Sequence, residues 1–194
     1  MLLNVGRLET AVYCFKKALF LIHAMTLRFG SSSPPPFPLP DTTKVPIFTD
    51  NVIPSLLIRL GVLDLSRAKD AGLRNIFSGA ASDANVNSLL AVPKDTPAKG
   101  TAVAPDTKPE KKPPKEGPVL TLDQAYILRA AAVDACEKIA EYARELDEAR
   151  LQDGQKWIKD ITLPELDMWL WAVAKERSDY RELERFVLHD TVFF

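Results

Sequence analysis

The chain offers little of the usual catalytic alphabet. It has two histidines, His23 and His189, and two cysteines, Cys14 and Cys136. Neither pair has metal-ligand spacing, and no histidine-based triad can be assembled from them. No glycine-rich phosphate loop and no nucleophile elbow is present. Chemistry here must come from carboxylates and lysines, with no metal and no cofactor expected. Three short stretches qualify.

The first is Phe48-Thr49-Asp50-Asn51, a carboxylate beside an aromatic at a loop-to-helix junction. Asp50 can cap the following helix, a role worth about 1 kcal/mol. A helix N-terminus also fixes a carboxylate for catalysis, so the two roles are compatible. The second is Leu166-Asp167-Met168-Trp169-Leu170-Trp171. Leu163, Leu166, Leu170 and Val173 define an apolar face, and Asp167 flanks it. A carboxylate there needs a partner. That partner is either Arg129, in a structural ion pair, or a ligand in a pocket walled by the Trp171 indole. The third is Lys16-Lys17. Lys16 lies about 40° around a helix from Val12 and borders its apolar face, while Lys17 points further out. Both can snorkel, or one can stand as a cation at a pocket mouth.

Five helices must position these residues. The spacing of Leu8, Val12, Phe15, Leu19, Ile22, Thr26 and Phe29 predicts an amphipathic helix over Leu8–Phe29, ended by Gly30. Asp50 then opens a helix over Val52–Leu60, stopped by Gly61, with Pro54 tolerated in its first turn. A short helix follows over Ser66–Phe77. Thr121-Leu122-Asp123-Gln124 is a capping box. It opens a long helix whose face is Leu128, Ala132, Ala135, Ile139, Tyr142 and Leu146, and Asp153-Gly154 ends it. A second box, Thr162-Leu163-Pro164-Glu165, opens a helix over Leu163–Arg177. Phe186–Phe194 reads as a short strand or an extended segment. The class is all-α.

The 15 prolines are unevenly placed. One group lies in Ser31–Pro40, which reads as an extended loop. Another lies in Pro93–Pro118. Gly79–Pro118 carries no aromatic residue and ends in a Pro/Lys-rich run, so it is expected to be a disordered insertion. Residues 1–78 and 119–194 then form two parts of one helical domain, with 79–118 inserted between them. The balance of 25 Lys+Arg against 26 Asp+Glu, net −1, argues against direct binding of nucleic acid. The apolar run Ala18–Met25 is too short to cross a membrane. It also starts late, contains His23 and lacks a cleavage site for a signal peptide. Free cysteines in apolar helical patterns fit a reducing compartment, and a cytoplasmic location is expected.

Phe15-Lys16-Lys17-Ala18-Leu19, then Phe48-Thr49-Asp50-Asn51-Val52-Ile53-Pro54, then Leu60-Gly61-Val62-Leu63 stand in an order that resembles the queuosine salvage protein family. These are queuosine 5′-phosphate N-glycosylases/hydrolases. The resemblance continues through Arg129-Ala130, Leu166-Asp167 with Leu170-Trp171, and Thr191-Val192-Phe193-Phe194, and it skips Gly79–Pro118. It implies a helical domain related to helical DNA glycosylases. It also implies hydrolysis of the N-glycosidic bond of queuosine 5′-monophosphate, releasing queuine for tRNA modification. The family's Phe-x-Asp carboxylate falls on Asp50, the catalytic candidate. Its Leu-Asp-x-x-Leu-Trp pattern falls on Asp167 and Trp171. Those two, with Phe48, Asn51, Lys16 and Lys17, are the substrate-binding candidates.

Cleavage at C1′ builds oxocarbenium-like charge that a fixed carboxylate stabilises. Queuine is a 7-deazapurine, so the leaving base has no N7 to protonate, and the general acid is left unassigned. Lys16 or Lys17 would meet the phosphate, and Phe48 or Trp171 the base. The resemblance covers the C-terminal half of longer family members. The remaining half contributes to the pocket in the family, so truncation would impair turnover and expose an apolar surface on the first helix. Two other classes stay open: an inactive, partner-dependent helical fragment, and an interaction module using its Pro-rich segments as ligands.

Overall fold

A computed structural model describes residues 15–91, 115–152 and 154–189, and the backbone of 2–5 and 8–11. Among these residues the chain is mostly helical, with seven α-helices and four short strands.

The first expected helix is only partly realised. Residues 8–11 form strand β2 (Leu8–Ala11), antiparallel to β1 (Leu2–Val5). Helix α1 spans Lys16–Phe29. Residues 8–11 find a ladder partner in 2–5 in place of a helical turn. The buried face also differs. His23 is buried in α1, while Phe15 and Ile22 of the expected stripe are exposed.

Helix α2 (Val52–Arg59) is the centre of the core. All of Val52–Ile58 is buried, Pro54 included. Gly61, at φ 73°, ends it in the left-handed region that glycine adopts without strain. The expected Ser66–Phe77 helix shrinks to α3 (Ala71–Arg74). Asp64 accepts the Ser66 N–H (2.8 Å) and Asp70 the Leu73 N–H (3.0 Å). Such side-chain bonds offer the backbone turns in place of a helix.

Order extends into both ends of the stretch expected to be disordered. Helix α4 (Asp83–Leu90) buries Leu89. Its C-terminal carbonyls are held from afar: Arg177 donates to the Leu89 and Ala91 oxygens (3.0 and 3.1 Å), and the Tyr180 hydroxyl to Leu89 (2.9 Å). Strand β3 (Glu116–Val119) pairs in parallel with β4 (Arg185–Val187). The expectation of disorder for residues 92–114, and the expected motif at 191–194, lie outside the described residues.

Helix α5 (Leu122–Glu145) starts at its capping box, with Gln124 N–H to Thr121 Oγ1 (3.3 Å) and Thr121 N–H to Gln124 Oε1 (3.0 Å). It ends at Glu145, short of Asp153-Gly154, because Leu146 turns extended and Asp147 bonds the Ala149 N–H (3.0 Å). The expected face drifts as well. A seven-residue repeat rotates about 20° per heptad against a straight helix. Ala140 and Ala143 are therefore buried while Tyr142 is 71% exposed. Helix α6 (Leu163–Glu176) begins as expected, with the Thr162 N–H and hydroxyl both donating to Glu165 (2.9 and 2.7 Å). A short α7 (Ser178–Arg181) follows.

Residues from both flanks of the 79–118 stretch meet in the same two apolar clusters. Leu56 and Leu57 pack with Cys136, Leu166 and Leu170, and Ile58 and Leu73 with Leu128 and Phe186. Burial pushes the Cys136 thiol up to about 12, so it acts as a small hydrophobe. Among the described residues no helix is long and apolar enough to cross a membrane.

Candidate active site

The proline-bearing loop after α1 folds back along that helix. The Phe37 ring meets Phe29 edge-on at 5.3 Å. The Thr26 hydroxyl donates to the Pro40 carbonyl (3.4 Å), and His23 Nδ1 bonds Thr42 Oγ1 (2.8 Å). These ties deliver a buried segment, Ile47–Asp50, to the first turn of α1.

Asp50 is 7% exposed and both its oxygens are used. Oδ1 accepts the Val52 N–H (2.7 Å), and Oδ2 forms an ion pair with Lys16 Nζ. The cap position itself belongs to Asn51, so Asp50 serves the first helical amide from one residue further out. Asn51 turns its amide to the Phe186 carbonyl (3.0 Å) and ties α2 to β4.

Asp167, 6% exposed, accepts the Phe48 N–H on Oδ2 at 2.7 Å. A backbone amide thus takes the place foreseen for Arg129. Burial is the main force raising the Asp167 carboxyl to about 6. The Phe48 N–H opposes the rise, nearby Asp50 adds to it, and Lys16 counters it.

Between α1 and α6 lies a cavity of about 440 Å3, lined by Lys16, Phe20, Phe48, Asp167, Met168, Trp171 and Ala172. Of the residues foreseen from sequence, Lys16, Phe48, Asp167 and Trp171 converge on it. Asp50 meets it through Lys16, one ion pair behind the wall. Asn51 and Lys17 are not part of the lining. Phe20 was not foreseen, although it sits one helical turn after Lys16 on the same side. It meets Phe48 edge-on at 6.0 Å. Behind Phe48 stands His23, its ring centroid 6.0 Å away. Burial lowers the His23 pKa and favours the neutral ring, while Glu165 opposes that shift.

The cavity is therefore an apolar slot between aromatic rings, with one carboxylate in its wall and a second paired to a wall lysine. Two carboxyl groups in environments this different can divide proton-holding from charge-stabilising work. A larger cavity of about 580 Å3 beside Ile58, Arg74 and Phe77 lacks such a pair. Its Asp64 is turned to Ser66, and its Arg74 donates to the Ala68 carbonyl (2.7 Å). Among the described residues no group of three or more His, Cys, Asp or Glu could hold a metal.

No family model matches the chain, and no curated protein or solved structure matches it.

Proposed function

We propose that this protein hydrolyses the N-glycosidic bond of queuosine 5′-monophosphate and releases queuine. The observation that carries this reading is the convergence of Lys16, Phe48, Asp167 and Trp171 on one slot, with Asp50 paired to Lys16. These residues come from three separate stretches of the sequence and are among those on which the family resemblance rests. In this reading the base stacks between the Phe48 and Trp171 walls. Asp167, titrating near 6, holds the proton that the departing base requires. Asp50 supplies the negative charge that stabilises the positive charge developing at C1′, and Lys16 holds that carboxylate in place.

The test is queuine release from queuosine 5′-monophosphate by the purified chain, with Asp50→Asn and Asp167→Asn as controls. Release by the parent and a loss of at least about a hundredfold in each variant supports the reading. Full activity in Asp50→Asn overturns the role of that carboxylate.

The outer face of α1 favours a second reading, that of a partner-dependent helical fragment. Leu21 and Leu27 are more than half exposed there. A monodisperse monomer that binds no hydrophobic dye would count against it.

A further inference from the structure

A nucleotide brings a phosphate, and the lysines foreseen for it are poorly placed. Lys16 is committed to Asp50. Lys17 is exposed and does not line the slot. A different lysine, itself outside the lining, sits against one of the slot's wall residues. Lys175 follows Trp171 by one turn of α6, and its Nζ lies 5.2 Å from the centre of that indole. Cation and ring stabilise each other by electrostatic attraction. Trp171 and Ala172 of the same turn form part of the slot wall.

The charges around Lys175 do not balance. Arg185 is buried and donates to the Ala174 carbonyl (3.0 Å). Burial lowers the Lys175 pKa first, the neighbouring Arg185 and Lys16 lower it further, and Asp50 opposes them. The charged groups that act on Lys175 are two cations, Arg185 and Lys16, and one carboxylate, Asp50, which is already paired with Lys16. The surplus is positive, in a partly desolvated place where Coulomb interactions are stronger than in water.

We propose that Lys175 anchors the phosphomonoester of the substrate, at the end of the slot marked by the Trp171 indole. An arriving dianion cancels the repulsion from Arg185 and Lys16 that works against the Lys175 charge. A lysine in the last turn of α6 has a structural use too, since it complements the helix dipole. Only the ligand role predicts phosphate binding. The inference rests on the nucleotide reading for the identity of the substrate.

The experiment uses the full chain and inorganic phosphate as probe, with binding read from tryptophan fluorescence and from the phosphate-dependent rise in Tm. The parent and Lys175→Arg are expected to bind phosphate, and Lys175→Gln to bind it at least about tenfold more weakly. In turnover, Lys175→Gln should raise KM for the 5′-monophosphate about tenfold and leave the phosphate-free nucleoside unaffected. Phosphate binding by Lys175→Gln equal to that of the parent overturns the anchor, even if the parent releases queuine. Loss of phosphate binding in Lys175→Gln upholds the anchor, even if no queuine is released, and in that case the glycosidase reading alone falls.

Discussion

Helices α1 and α2 are both rich in apolar residues, yet they do opposite work. In α2 seven of eight residues are buried, and the helix packs against α5, α6 and β4. In α1 His23 is buried, while Phe20 is 50% and Leu21 59% exposed. The aspartate that precedes α2 is fixed to the best-packed element of the molecule. The lysine that meets it stands on a helix with little of its surface inside. Hydrophobicity alone did not decide which helix became core. Contact with α5 and α6 did, and the slot lies along the seam between the well-buried side and the lightly buried one.

The largest effect should come from cutting that seam at its charged point. Asp50→Asn removes the anionic partner of Lys16 and is expected to lower queuine release by about a thousandfold, while far-ultraviolet circular dichroism stays that of the parent. Retained turnover would sever the Asp50–Lys16 pair from function. Leu57→Ala, in the middle of α2, should cost about 2–5 kcal/mol in urea unfolding, because it leaves a cavity in a packed cluster. A cost below about 1 kcal/mol would mean that α2 is not the anchor its burial implies.

Asp167→Asn should stabilise the protein at neutral pH. The folded carboxyl titrates near 6 rather than 3.8, so between those values the folded chain holds the additional proton. Stability therefore falls as pH rises through that window, and the full cost is present above it. The variant is expected to gain about 1–3 kcal/mol at pH 7.5 and nothing below pH 3.8. An equal gain at both pH values would sink the assignment. The same titration should give the parent's kcat a descending limb near pH 6, absent in Asp167→Asn. The smallest effect is expected on the outside of α1, where Leu21→Ser should change stability by no more than about 0.5 kcal/mol. A larger loss would show that the outer face of α1 is covered in solution.

Helix starts were legible because their signals are local. The Thr121 and Thr162 boxes close within four residues, and α5 and α6 begin where those boxes place them. The site was legible in part for a related reason: a carboxylate next to an aromatic, a second one flanking a leucine stripe, and a lysine bordering an apolar face each show in the spacing. The rest depended on distant partners. The phase of α1 was ambiguous because leucine, phenylalanine and isoleucine surround it on several sides, and the return of the loop to Thr42 selected His23. Helix α4 was hidden because its carbonyls are satisfied by Arg177 and Tyr180, from more than eighty positions away. Strand β3 looked like linker because its ladder partner is β4. Asp167 found the amide of Phe48 rather than a guanidinium, and a backbone donor leaves no trace in residue types.

That last bond makes residue 48 a joint between two functions. Its ring forms a wall of the slot, and its amide opposes the rise that burial imposes on the Asp167 carboxyl. A guest that presses on the ring works on the amide as well. Because the Phe48 N–H holds the Asp167 pKa down, any displacement that lengthens this bond makes the carboxyl a weaker acid.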